Sequence, residues 1–306
     1  MSDWWVHNRR LLLQLTGTLL AIFLIFLLVR EEGWDEILVA LKAIQLTDLL
    51  LVAVFFAISR FATAARWHVL LRSGGVDIPF RDSLSLTFTG LFASNFLPTT
   101  IGGDAVRLGG IMQLGFDRAV CLASLAVDRI IGMLGMSMAA PLGLAYSWTT
   151  LFGGEASALA MPAFLRRPLD FLKRTLNSFS LWIKKPGALL LSLSFTWVHM
   201  LCLFASISVF VRGLGTPVSF WMIAGLWSLT YFVTLIPISI NGLGLQELSF
   251  TFLMSNVAGL SAQNSLTIAI LIRAYFMFSS LPGAAFLPST LANMTNRKSD
   301  PPPSEP

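Results

Sequence analysis

The stretch NFLPTTIGGDAVRLGG, Asn95–Gly110, interrupts a very apolar chain with a proline, paired glycines, an acid and an arginine. Proline removes a backbone donor and glycine lets backbone approach closely, so the pattern predicts a broken helix. In a membrane, non-helical backbone is tolerated only where it is buried in protein or lines a cavity. The stretch therefore predicts either a polar cavity at membrane depth or a simple turn between two full spans.

The composition around this stretch is typical of a polytopic membrane protein. Of the 306 residues, 55% are hydrophobic and 12% are charged, against a usual charged share of about 25%. The mean hydropathy is +0.74. So few charges do not cover a soluble core of this apolar content, and we predict an all-α membrane protein of about 6–8 transmembrane helices.

The charge balance and the polar motifs exclude several classes of function. A net charge of +5 is typical of cytoplasmic loops rich in Lys and Arg, and it does not require a nucleic-acid partner. The two cysteines and three histidines show no metal-ligand spacing. No nucleotide-binding or catalytic motif is present, so we expect no cofactor, no metal and no enzymatic activity.

Loop charges orient the predicted spans. Leu11–Val29 carries no charge and reads as a retained first span, held with its N-terminus inside by the preceding arginines. Arg297 and Lys298 place the C-terminus inside as well. We therefore predict a multi-pass protein of the cell (inner) membrane, with one domain over 1–290 and a disordered tail over 291–306.

Two segments between the spans remain open in this topology. The segment Val120–Ala163 should cross an even number of times, with one clear span and a weak one after Pro141. Residues 165–185 are predicted to form a basic amphipathic helix in the cytoplasm, either on the anionic leaflet or packed on the bundle.

An internal repeat relates the opening stretch to a second one. NFLPTTIGG, Asn95–Gly103, matches TLIPISING, Thr234–Gly242, at a constant offset, and by the loop charges the two copies have opposite orientation. Matching broken helices in two halves are typical of inverted-repeat transporters with a midplane site. We therefore predict two broken or re-entrant helix hairpins in an inverted repeat. The predicted helix-break residues are Pro98, Gly102, Gly103, Pro237, Asn241, Gly242 and Gly244.

Several ionisable residues lie within apolar segments, where each costs at least about 2.5–3.5 kcal/mol to insert. Asp104 and Arg107 are three apart on one helical face and can pair, whereas Asp128 and Arg129 point about 100° apart and need other partners. These charges form either a polar cavity for an anionic headgroup or salt bridges for assembly. Arg60 and Arg66 are instead expected to snorkel, that is, to extend their side chains along the span so that the charged groups reach the membrane surface. The candidate substrate-binding residues are Asn95, Asp104, Arg107, Asp128, Arg129, Glu247 and Arg273.

Four motifs together resemble the flippase-like transmembrane region of lysylphosphatidylglycerol synthases, including stand-alone members similar to hopanoid-associated proteins. They are the opening stretch, ASLAVDRIIGML (Ala123–Leu134), LIPISINGLGLQELSFTFL (Leu235–Leu253) and AILIRAYFMF (Ala269–Phe278). The resemblance covers most of Leu11–Leu287, and Asp128 stands where the family more often has Glu. It implies a membrane flippase fold without the soluble aminoacyl-transfer domain, so synthase activity is not expected.

Three functions are compatible with these features. The first is a flippase that moves an anionic or glycosylated lipid, such as a phospholipid, a prenyl-phosphate-linked lipid or a hopanoid, between leaflets. The second is a non-transporting scaffold that docks a lipid-modifying or glycosyltransferase enzyme through the basic helix. The third is a small-ion or proton-coupled solute transporter, which needs the same cavity. Membrane lipids are the expected partners, and the sequence leaves the oligomeric state open.

Overall fold

The structure, a computed structural model, consists of helices joined by short turns and loops in the part of the chain that it describes. It describes Phe23, Lys42 and residues 44–95, 97, 102–152, 182, 184–236 and 239–286. Most of the predicted first span, most of the amphipathic helix 165–185 and the tail 291–306 lie outside these residues. Within the described residues there are α-helices and no strand, which confirms the predicted all-α class.

Eight α-helices follow one another in the described residues. They are α1 (Leu46–Ser73), α2 (Phe80–Ser94), α3 (Gly102–Gln113), α4 (Arg118–Phe152), α5 (Pro186–Gly213), α6 (Phe220–Thr234), α7 (Leu245–Asn256) and α8 (Ala262–Ser280). Among these, α1, α4, α5 and α8 are long and apolar enough to cross a membrane. The chain is thus a multi-pass membrane protein, as predicted.

The other four helices are too short to cross alone. The fifteen residues of α2 and α6 rise about 22 Å, and the twelve of α3 and α7 rise about 18 Å. The hydrocarbon core is about 30 Å thick. Because α2 packs on α3 and α6 packs on α7, each pair forms a re-entrant hairpin, as the broken stretches predicted.

The two hairpins begin at opposite ends of α1. Lys185 Nζ, just before α5, donates to the Ser73 carbonyl at the C-terminal end of α1 (2.5 Å), and α2 follows that end. Gly213, at the end of α5, lies beside Asp48 in the first turn of α1, and α6 follows Gly213. The hairpins therefore enter the protein from opposite sides.

Burial shows that α6 lies inside the protein. Six consecutive residues, from Ile223 to Ser228, are buried, and six residues cover the whole circumference of a helix. By contrast, α1 exposes one apolar stripe at helical spacing, which suits contact with lipid chains. The stripe consists of Leu46, Leu50, Val54, Ile58 and Phe61.

The two halves repeat the same helix lengths. Helices α1 and α5 each have 28 residues, α2 and α6 have 15, and α3 and α7 have 12. The turns that follow α1 and α5 also match, because Gly75 and Gly215 both adopt positive φ angles of 95° and 76°. The repeat therefore extends well beyond the motif that first indicated it.

The register of the repeat differs from the one predicted by the motif. Gly103 is the second residue of α3, whereas Gly242 lies before α7 with φ 69°. The second break is three residues longer, so these glycines are not equivalent. Asn241 adopts the left-handed region (φ 49°), whereas Gly102 does not. Instead, a Cβ on Gly102 would lie 2.5 Å from Leu97 Cβ, so glycine is needed there for close approach. Pro98 and Pro237 lie outside the described residues.

A second span starting after Pro141 is not found in the described residues, because α4 continues through this proline to Phe152. A proline within a helix removes one backbone hydrogen bond, which neighbouring helices make tolerable in a membrane. Here α4 crosses α6 two residues later at very short range, since a Cβ on Gly143 would lie 2.3 Å from the Gly225 carbonyl oxygen. This close packing fixes α4 against α6 just after the proline.

Candidate functional site

A cavity of about 340 Å³ lies between the two broken hairpins. The ends of both hairpins line it, through Ser94 and Asn95 from the first and Thr234, Leu235 and Asn241 from the second. Helices α1, α4, α5 and α8 complete the wall. The breaks therefore meet at one site, as expected for an inverted repeat with a midplane cavity.

Four arginines line this cavity, and no carboxylate does so among the described residues. The arginines are Arg60 and Arg66 of α1, Arg129 of α4 and Arg273 of α8. The prediction that Arg60 and Arg66 snorkel is wrong. Arg60 lies halfway along α1 and is only 6% exposed, about 20 Å from either helix end, which is beyond the reach of its side chain.

Arg60 is held by α8. Its Nε donates to Ser279 Oγ (2.8 Å), its Nη2 donates to the Phe276 carbonyl (3.1 Å), and its guanidinium lies 5.0 Å from the centre of the Phe276 ring. These partners are neutral, and no carboxylate pairs with Arg60 in the described part of the chain. Its positive charge therefore faces the cavity without a counter-ion.

Arg66 belongs to a buried charge network. Its Nε donates to Asp128 Oδ1 (2.7 Å), and Arg107 Nη1 donates to Asp128 Oδ2 (3.3 Å). The Arg107 guanidinium also lies 3.9 Å from the centre of the Trp67 ring, and the residue is 7% exposed. Arg107 does not line the cavity, so this candidate residue stands behind the site.

Arg129 and Asp104 connect α4 to the first hairpin. Arg129 Nε donates to Asp104 Oδ2, and Asp104 Oδ1 accepts from Arg107 Nη1 (3.2 Å). The predicted pairing of Asp104 with Arg107 is thus present. Asp128 and Arg129 have separate partners, as their position on the helix required.

Arg273 and Glu247 connect α8 to the second hairpin. Arg273 Nε donates to Glu247 Oε1 (2.5 Å), while its Nη2 donates to the Gly242 carbonyl (3.1 Å). The other carboxylate oxygen, Glu247 Oε2, accepts from the Gly244 backbone N–H (2.7 Å) at the start of α7. One arginine therefore holds both the broken backbone and the carboxylate that caps the following helix.

Two further polar residues complete the site. Asn95, a candidate from the sequence, lines the cavity and donates from Nδ2 to Ser280 Oγ (2.8 Å). His199 of α5 was not predicted, yet it also lines the cavity and its Nδ1 lies 2.6 Å from Ser59 Oγ. Its position within an apolar run, SFTWVHML, is the signal that marks it. Within the described residues, no His, Cys, Asp and Glu side chains cluster as a metal site.

The site combines positive charge with neutral hydrogen-bonding groups in a partly open cavity between the helices. Arginine guanidinium groups match the geometry of phosphate and carboxylate oxygens. Such a site suits an anionic group that must leave water to enter the membrane.

Comparisons with known proteins agree with this architecture. The family model described as lysylphosphatidylglycerol synthase TM region matches residues 14–283, which include both hairpins and all four spanning helices. A UPF0104 membrane protein of Pyrococcus horikoshii is 22% identical over 134 residues, or 43% of this chain. The aligned part covers 40% of that relative's length. The chain belongs to the family of the lysylphosphatidylglycerol synthase transmembrane region.

Proposed function

We propose that this protein is a lipid flippase, which moves an anionic or glycosylated lipid between the leaflets of the cell (inner) membrane. The headgroup passes through the cavity while the acyl or prenyl chains stay in lipid. The observation that carries this proposal is the cavity between two oppositely oriented hairpins, lined by Arg60, Arg66, Arg129 and Arg273. Both termini lie in the cytoplasm in this proposal.

The physical obstacle in flipping is the transfer of a polar headgroup through hydrocarbon. An unpaired charge in that environment costs several kcal/mol or more, so a path needs groups that replace water. The arginines, Asn95 and Asn241 supply such groups at membrane depth. Catalysis plays no part in this proposal, which needs only binding and alternating access.

The inverted repeat supports alternating access to the two sides. Each hairpin enters from one side, and its tip is fixed by an arginine of the following long helix, Arg129 or Arg273. A rocking of one half against the other opens the cavity to one leaflet and then to the other, as in other inverted-repeat transporters. The lipid is exchanged between leaflets without a hydrophilic pore.

The experiment is a flipping assay with purified protein in liposomes. Fluorescent phospholipid, prenyl-phosphate or hopanoid probes are added in separate preparations, and the fraction accessible to a membrane-impermeant quencher is followed. We expect faster movement of at least one probe with wild type and loss of this gain with Arg273→Gln. The matched control is Arg72→Gln, since Arg72 is exposed and pairs with Asp77 at the surface.

The alternatives are distinguished by the liposome assay together with a test of cellular function. If no probe moves faster than in empty liposomes, the flippase proposal fails. If cellular function survives Arg273→Gln but is lost when Arg166, Arg167, Lys173 and Arg174 are neutralised, the protein is a scaffold for a lipid-modifying enzyme instead.

A further inference from the structure

The charges at membrane depth do not balance within the described residues. Five arginines lie there, namely Arg60, Arg66, Arg107, Arg129 and Arg273, against the three carboxylates of Asp104, Asp128 and Glu247. Two positive charges are left over. Because charge is costly in hydrocarbon, an occupant that supplies two negative charges would make the site neutral.

The surplus charge lies where a ligand can reach it. The three carboxylates stand behind the arginines and do not line the cavity, whereas four of the five arginines do. Arg60 is the clearest case, because its partners are Ser279 Oγ and the Phe276 carbonyl. The negative charge of the occupant is therefore met first by guanidinium groups.

The size of the cavity restricts the headgroup further. A volume of about 340 Å³ is at the lower end of the roughly 300–1,000 Å³ of ligand pockets. A headgroup with several sugars does not fit in this space. A cationic aminoacyl headgroup fits poorly for another reason, since it meets only like charges in the lining.

The geometry points to a lipid phosphomonoester as the occupant, with its terminal phosphate dianion held by Arg60, Arg66, Arg129 and Arg273. This inference rests on the proposed flippase function and names the substrate class of the same cavity. A phosphomonoester carries about −1.5 to −2 charge at neutral pH, which matches the surplus. A phosphodiester carries one negative charge and leaves one arginine uncompensated.

The test is a binding measurement on the full-length protein in neutral detergent. Isothermal titration calorimetry compares dioctanoyl phosphatidate, a monoester, with dioctanoyl phosphatidylglycerol, a diester, and with lysyl-phosphatidylglycerol and inorganic phosphate. We expect the monoester to bind about tenfold more tightly than the diester, because it adds one charge-assisted pairing. Lysyl-phosphatidylglycerol should bind more weakly still.

A pH series gives a second, independent readout. The second ionisation of a phosphomonoester has a pKa of about 6, so its affinity should rise between pH 5 and pH 7 while that of the diester should not. His199, Tyr231 and the four arginines are the titratable or charged groups that line the cavity. Because both lipids contact the same groups, the difference between their pH profiles reports the ligand and not the protein.

Variants of Arg60 connect the preference to the surplus charge. Arg60→Gln removes one positive charge and should bring the affinity for the monoester down to that for the diester. Arg60→Lys keeps the charge and should keep the preference, so it separates loss of charge from loss of folding. Arg72→Gln is the surface control and should match wild type.

Three results would overturn the inference. Equal affinities for monoester and diester with parallel pH profiles would reject the phosphomonoester, while flipping of another lipid would leave the proposed function intact. Binding of inorganic phosphate as tight as that of phosphatidate would assign the site to a free anion. Tighter binding of lysyl-phosphatidylglycerol than of phosphatidate would reverse the expected charge selectivity.

Discussion

Asp104 and Glu247 occupy equivalent positions in the two halves of the protein. Each is the third residue of the second helix of its hairpin. Each accepts a hydrogen bond from the Nε of an arginine that is the twelfth residue of the next long helix, Arg129 in α4 and Arg273 in α8. The repeat thus places the same ion pair at the tip of both hairpins.

This equivalence suggests a common role for the two pairs. Each carboxylate lies in the first turn of a helix, where negative charge is stabilised by the unpaired backbone N–H groups. Each arginine fixes that turn to a long helix and also lines the cavity. In the proposed flippase mechanism, movement of one half against the other would therefore be transmitted directly to the groups that contact the headgroup.

We predict that Glu247→Gln destabilises the protein by about 3–5 kcal/mol, because it leaves Arg273 as an unpaired buried charge. Glutamine still accepts from the Gly244 N–H, so the cap is kept. The free energy of unfolding in mixed micelles is the measurement, and the surface variant Asp77→Asn, expected to change it by about 0–1 kcal/mol, is the control. The double variant Glu247→Gln/Arg273→Gln should recover part of the loss, and a double variant less stable than the single one would contradict the argument.

We predict that Gly103→Ala opens the first hairpin. A Cβ at this position would lie 2.1 Å from Ser94 Oγ and 2.3 Å from the Gly90 carbonyl oxygen, and backbone does not give way as a side chain does. We expect a loss of about 1–3 kcal/mol in stability and slower lipid movement in the liposome assay. Gly187→Ala is the matched control, because no atom lies within 4 Å of its new Cβ. Equal behaviour of the two variants would reject a tight hairpin contact.

The architecture was largely predictable from the sequence, because breaks within apolar segments leave few solutions in a membrane. Asn95–Gly110 and its partner stretch indicated both hairpins, and the loop charges indicated their opposite orientation. The register of the repeat was not predictable from the motif. The two breaks differ in length, so a constant offset paired Gly103 with Gly242, whereas packing aligns Asp104 with Glu247.

The site was predicted in part. Asp104 and Arg107 pair because residues three apart share a helical face, and this spacing can be read directly. Pairs such as Arg66–Asp128 and Arg273–Glu247 join helices far apart in the chain, and single-sequence spacing contains no information on them. Arg60 could have been identified by its distance from the charged end of its span, since it lies twelve positions before Arg72.

We predict different effects for two substitutions of Asn241. Its φ of 49° and ψ of 30° place it in the left-handed region, which asparagine tolerates and alanine does not. Asn241→Ala should lower the stability by about 1 kcal/mol, and Asn241→Gly should leave it nearly unchanged. Thermal unfolding midpoints in detergent check this, and a more stable alanine variant would show that the left-handed turn is not formed.

We predict that Asp128→Asn costs more stability than any single substitution at a cavity arginine. Asp128 is 2% exposed and pairs with two arginines, Arg66 and Arg107. Its neutralisation therefore removes two buried ion pairs, although Arg107 keeps its contact with Asp104, whereas Arg273→Gln removes one. We expect the free energy of unfolding, measured in mixed micelles, to fall by more than about 3–5 kcal/mol.

The same network separates stability from transport. Asp128 and Arg107 do not line the cavity, and Arg107 packs on Trp67. We therefore expect the Asp128→Glu variant to be less stable than wild type. Well below its unfolding temperature, it should still move lipid at a rate near that of wild type. Arg129→Gln removes a cavity group and should slow transport under the same conditions. If Asp128→Glu abolished transport while remaining folded, Asp128 would act on the substrate directly, and the division between the lining arginines and the carboxylates behind them would be wrong.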